Sequence, residues 1–332
     1  MSVHTSFAVA CLLLIGVAVA AQANPQVSPS TGIPAPLLPL GSASNNGVVK
    51  FEDVKKLSPS MSAALSLLRA HQYEAAQAAF QKVQQSRPQE ALAYQGEIEA
   101  SQRLDTLDAT VTRYRKRLAA AEKNNEHGTN GNVRLAVLHW ALGQAIMMQN
   151  GYYPKFIGDN PANLGSEPME QFQEALRLDP DLLIAHLSLA AYYEHHSVEK
   201  GSLARLQYKE ALHLRPDLYQ IRYLHAYTWD RPGTVLNEAE LNARGFTVSE
   251  DQKKMPEKAI PEYLALVRDH PNYAPPYYCL GDDYWFTDKA KAKFYYEKYI
   301  ELGNREGQAW KRVKSIVDYM NEHPAQSASG QH

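Results

Sequence analysis

The chain has 332 residues, 45% of them hydrophobic and 21% charged, with a formal net charge of -2 at pH 7. That length exceeds what one compact core usually needs, so two domains or an elongated repeat array are the default organisations. Acidic and basic residues are mixed along the chain with no basic stripe of the kind that phosphate neutralisation demands, which argues against nucleic acid as a partner. The 20 tyrosines are many for this length, and their rings need either packing or a binding face.

The first segment reads as an export signal. Phe7 to Ala21 is an apolar run without a charge, short for a membrane span and followed by the small residues of Ala21-Gln22-Ala23. Cleavage before Asn24 is expected, giving a signal peptide over 1–23 and a periplasmic or secreted product. The rival reading is an uncleaved anchor, because only His4 stands where a basic residue would precede the run. That anchor is the one membrane contact the sequence suggests. Only Cys279 would remain after cleavage, so no internal disulfide is expected. The absence of any Asn-x-Ser/Thr sequon fits a bacterial exported protein.

Residues 24–56 are rich in Pro, Ser, Gly and Asn and read as an extended or disordered tether. From 57 to 322 the pattern is helix after helix, with no convincing run of alternating β-branched residues. First helices are expected near 58–70, 89–102, 133–149, 181–195, 217–229 and 274–286. Their partners are expected near 73–86, 106–122, 167–178, 200–214, 255–269 and 288–302. A last helix, about 305–321, carries an apolar stripe of Trp310, Val313, Ile316, Val317 and Met320 that suits a cap. Residues 323–332 read as a polar tail.

Two half-patterns recur. A small residue, an aromatic four later and a proline eight after that are found at Ala76, Phe80 and Pro88, at Ala204, Tyr208 and Pro216, and at Ala259, Tyr263 and Pro271. Partial copies are Phe172 with Pro180, and Ala292 with Tyr296. Upstream stands a second pattern: Tyr277, Leu280, Gly281 and Tyr284; Leu189, Ala190 and Tyr193; Leu142, Gly143 and Ile146. In these residues the chain resembles the tetratricopeptide-repeat family from about Pro59 to Asn304. The resemblance implies an all-α, right-handed superhelix of about six helix pairs plus a C-terminal capping helix. The second pair shows no clear small-residue pairing, although Tyr94 and Tyr114 suit it.

Against a repeat of about 34 residues, two pairs are long. Roughly 13 extra residues fall at about 150–166 and roughly 21 at about 231–254, each in the turn inside a pair. Both insertions carry aromatics, which either contact a partner or staple the loops down.

The resemblance also implies where a ligand would lie, since the family's first helices line a concave face. Carried over by position, the lining residues are Trp140 and Gln144 in the third pair, Leu187 and Glu194 in the fourth, Tyr223 and Tyr227 in the fifth, and Tyr278, Asp282 and Trp285 in the sixth. Tyr and Trp dominate binding hot spots, so the expectation is a non-catalytic scaffold holding a protein or peptide in an aromatic groove. The polar clamp for a carboxylate tail that the family's peptide readers use is missing, with Met61, Leu65, Trp140 and Leu187 in its places. Glu194, His195 and His196 make a poor metal site, because adjacent helical residues point about 100° apart. No cofactor or metal is expected. Catalytic signatures are absent from the sequence, leaving only an acid/base pair such as Glu194 with Asp282 as an enzymatic alternative. A structural subunit of an envelope assembly is the other, and apolar patches on second helices would favour it.

Overall fold

The computed structural model describes residues 57–124, 128–150, 165–196, 201–229, 255–285, 287–303, 305 and 308–322. The signal segment 1–23, the tether 24–56, most of both insertions and the tail 323–332 lie outside the described residues. Among those described, every regular element is an α-helix and none is long and apolar enough to cross a membrane. In chain order they are α1 (Pro59–Arg69), α2 (Tyr73–Ser86), α3 (Ala91–Arg103), α4 (Leu107–Lys123), α5 (Thr129–Gln149), α6 (Glu167–Leu178), α7 (Leu183–His196), α8 (Gly201–Leu214), α9 (Tyr219–Tyr227), α10 (Met255–Asp269), α11 (Pro275–Tyr284), α12 (Lys289–Leu302) and α13 (Gln308–Glu322). They divide into two compact units, one ending at Pro216 and one beginning at Asp217.

Local chemistry sets the ends of these helices. Ser58 caps α1, its hydroxyl accepting from the Met61 amide at 3.2 Å, and Pro59 occupies the first turn, where a missing N–H costs nothing. Asp288 does the same for α12 through the Lys291 amide at 3.0 Å. The turns after α1 and α3 share one form. His71 and Asp105 take positive φ, 58° and 57°, and the next amide reaches back five residues, Gln72 to Leu67 and Thr106 to Ser101. This left-handed exit satisfies carbonyls that the helix end would orphan. One helix begins earlier than its pattern suggests: α5 starts at Thr129, because Gly131 and two asparagines read as a loop yet fit a first turn.

Within the first unit each helix packs on the next, and α1, α3, α5 and α7 also touch in succession as one layer. The burial pattern follows from that. α3 is buried without a break from Ala91 to Ser101, and residues 182–193, which span most of α7, are buried throughout. The alternate helices are one-sided: α2 buries Ala76, Phe80 and Val83 while its other face is wet. In the second unit α10 packs on α9 and α11, and α12 on α11 and α13. Val313, Val317 and Met320 bury the inner stripe of α13, and Trp310 anchors its start by donating to the Ile300 carbonyl at 2.9 Å.

Close approach is bought by glycine at three places. A Cβ on Gly96 would stand 2.3 Å from Phe80 Cζ, one on Gly143 2.9 Å from Phe172 Cε1, and one on Gly281 2.3 Å from Tyr296 Cδ1. All three aromatics are fully buried. Gly143 and Gly281 receive the ring of the following helix. Gly96 receives the ring of the preceding one, so α3 packs extensively on α2 and sparsely on α4.

Candidate functional site

The nine residues expected to line a groove divide between the two units, and the structure places most of them in packing. In the first unit Trp140 on α5 is fully buried. Its indole N–H donates to Ser188 Oγ on α7 at 2.9 Å, and that hydroxyl donates to Gln144 Oε1 at 3.0 Å. Trp140 and Gln144 are thus brought together, one helical turn apart, through a serine the sequence reading did not single out. A buried indole N–H needs such a partner, and the bond ties α5 to α7. Leu187, beside Ser188, is buried. The side chains of Glu194 and His195 lie outside the described residues, as does that of His196.

In the second unit Tyr223 is the hub of a ring cluster. Its centroid lies 5.9 Å from those of Tyr227 and Tyr263 and 5.7 Å from that of Tyr273, with its hydroxyl 3.5 Å from the buried Cys279 thiol. These spacings and tilts are those of favourable aromatic packing. Tyr278 and Asp282 meet on α11. Asp282 accepts from the Tyr296 hydroxyl at 2.5 Å and lies 3.9 Å from Arg312 of α13, which also donates to the Tyr278 hydroxyl. Burial pushes the Asp282 carboxyl up, against the opposing pull of Arg312 and of the two tyrosine hydroxyls. Burial and the Asp282 charge push Tyr296 far above the usual phenol range. The bond between Asp282 and Tyr296 joins α11 to α12, and Arg312 ties α11 to α13. Trp285 alone of the expected aromatics keeps a half-exposed ring, and Lys289 Nζ sits 3.3 Å from its centroid.

A larger polar network lies where sequence reasoning placed nothing. Glu97 of α3 has no exposed side-chain surface. It accepts from Gln81 and Gln84 of α2 at 2.7 Å each, from Tyr114 of α4 at 2.6 Å, and from Arg113 of α4. Four donors around one carboxylate are what a buried charge requires. Two residues on, Glu99 is also buried, yet its Oε2 has no hydrogen-bond partner among the described residues. Burial pushes its carboxyl up to about 7, and the charge of Arg103 offsets that only in part. Among the described residues no group of three or more His, Cys, Asp or Glu side chains is placed to hold a metal ion.

Two side-chain contacts repeat along the chain. The ring six residues after a proline bonds back to that proline's carbonyl: Tyr94 to Pro88 at 3.0 Å, His186 to Pro180 at 2.9 Å, and Tyr277 to Pro271 at 2.9 Å. A histidine on one helix also meets a glutamine on the next, His139 with Gln171 and His186 with Gln207, both at 2.8 Å. Each glutamine immediately precedes the aromatic, Phe172 or Tyr208, of the small–aromatic–proline pattern. The proline-to-ring interval is legible in the sequence once sought. The histidine–glutamine contact is not, because 151–164 intervene in one instance only. No protein-family model matches the chain, and no curated protein matches it.

Proposed function

We propose that this chain is a repeat protein of the tetratricopeptide kind, its helix pairs stacked as a right-handed superhelix, and that it acts as an exported, non-catalytic scaffold binding a polypeptide partner. One observation carries the reading: the same helix-ending turn recurs one repeat length along the chain. The left-handed turn residues His71 and Asp105 are 105 − 71 = 34 residues apart, the interval of this repeat class at about 34. The bond from a ring to the carbonyl of the proline six residues before it is found three times along the chain, at Pro88, Pro180 and Pro271. Repeats of this sort stack because none buries its apolar face alone, and the stack presents a long surface suited to polypeptides. Fold does not fix function. The absence of a catalytic signature from the sequence and the mutual engagement of Asp282 with Tyr296 support binding over chemistry.

Affinity capture of the full chain from an envelope fraction, followed by peptide mapping, tests the proposal. A specific polypeptide should be retained, and Trp285→Ala should weaken it while the exposed Lys82→Ala should not. An array that retains no polypeptide overturns the reading. A second reading is an assembly subunit, favoured by apolar residues exposed on alternate helices: Leu203 and Leu206 one turn apart on α8, Leu264 on α10 and Phe294 on α12. Self-association of the purified chain, abolished by Leu206→Glu, would select it.

A further inference from the structure

A cleft of about 290 Å³ lies where the Pro88 turn, the end of α4 and the start of α5 converge, in the first unit. Its wall is apolar, made by Pro88, Ala120, Ala121, Leu135 and Leu138, with Tyr94 alongside. Arg117, Arg134 and Asn124 complete it; among the described residues that line it none is acidic.

The two arginines are held differently. Arg117 donates through Nη1 to Gln84 Oε1 and through Nη2 to the Tyr94 hydroxyl, both at 2.7 Å, and its guanidinium lies 5.2 Å from the Tyr94 ring centroid. Those contacts fix the planar fork in position and use two of its five N–H groups. Tyr94 is itself fixed by the Pro88 carbonyl. Arg134 is exposed and forms no hydrogen bond or ion pair among the described residues. The last turn of α4 adds a partial negative charge of about half a unit, which two full positive charges outweigh. Two positive side chains beside apolar ones favour an anion that also carries apolar surface.

We propose that this cleft binds a carboxylate borne on a compact apolar group, with Arg117 and Arg134 taking the carboxylate and Leu135 and Leu138 the hydrocarbon. The volume sits at the lower edge of ligand pockets, which run from about 300 to 1,000 Å³, and suits one branched or aromatic acid. A bare inorganic anion would leave the apolar wall unused. The same chemistry is offered by a free carboxylic acid and by the last residue of a polypeptide. The site stands apart from the residues discussed above as a groove and is independent of the repeat-scaffold reading.

The test uses the full chain and follows the methyl resonances of Leu135 and Leu138. Probes are 4-methylpentanoate, the peptide acetyl-Gly-Ser-Gly-Leu with a free C-terminus, the same peptide as its amide, and inorganic phosphate. The two free acids should shift these methyls saturably, with Kd of about 1 mM or tighter for groups of this size. The amide should bind about tenfold more weakly, since it loses the charge-assisted bonds. Binding stronger for the peptide than for the free acid assigns a chain terminus as the source, and the reverse assigns a small molecule. Arg134→Gln should fold as the parent does, having no partner to lose, and should weaken both acids about tenfold. Equal binding of acid and amide, indifference to Arg134→Gln, or phosphate binding as tightly as the acids would each overturn the proposal.

Discussion

The helix pairs α3–α4 and α11–α12 solve one problem in two ways. Each has an acidic residue on its first helix that accepts a hydrogen bond from a buried tyrosine on its second: Glu97 from Tyr114 at 2.6 Å, and Asp282 from Tyr296 at 2.5 Å. An arginine joins each carboxylate, Arg113 from α4 in one and Arg312 from α13, outside the pair, in the other. The difference is the glycine. Gly281 lets the Tyr296 ring lie against the α11 backbone, so α11 and α12 pack closely and the carboxylate finishes a contact already made. Gly96 points at Phe80 of α2, so α3 closes on α2 and meets α4 through side chains: the Glu97 network, the Arg117–Tyr94 bond and the Ser101–Thr110 bond. A glycine thus decides which neighbour a helix approaches, and a multiply bonded carboxylate joins the neighbour left at a distance.

The largest effect should come from removing that join. Glu97→Ala removes the acceptor that Gln81, Gln84, Tyr114 and Arg113 share, and uncoupling a buried charge network costs about 3–5 kcal/mol. Urea denaturation of the variant should show it, whereas the parent midpoint would mean that α4 is held by other contacts. Glu99 sharpens the contrast, since it is a carboxylate on the same helix without such donors. Its carboxyl is raised from 4.5 to about 7. The folded chain therefore keeps this proton where the unfolded chain has lost it. That term lowers stability as pH rises from about 4.5 to about 7, and the full cost persists above. Glu99→Gln should flatten this slope and raise stability at pH 8 by about 3 kcal/mol. A parent-like pH profile in the variant would place the charge in water. At the glycine-closed pair, Gly281→Ala should cost about 1–3 kcal/mol, because the new methyl must displace a buried ring. Thermal melting that matches the parent would show that Tyr296 yields freely.

Much of the helical order was legible. Capping residues, prolines and the small–aromatic spacing act locally, and Pro59, Ala204 with Tyr208, and Ala292 with Tyr296 all lie on helices where the pattern put them. The expected lining residues were harder to judge. Trp140, Leu187, Tyr223 and Tyr278 have the composition of a binding face, but the same composition builds a core, and these four side chains are buried. Periodicity says which residues share a helix face; it does not say what that face meets. Glu97 was passed over for the same reason, since one glutamate in a polar stretch looks like surface until Gln84, Arg113 and Tyr114 converge on it.

The amino-acid order alone determined that the described residues form successive helices and where most of their ends fall, because propensity, capping and turn chemistry operate over a few residues. The tertiary structure decided which helix each glycine serves, which carboxylates are satisfied, and where two arginines share a cleft. Those outcomes depend on side chains distant in sequence, such as Gln84 with Glu97 or Tyr94 with Arg117, reaching one place, and no local pattern encodes that distance.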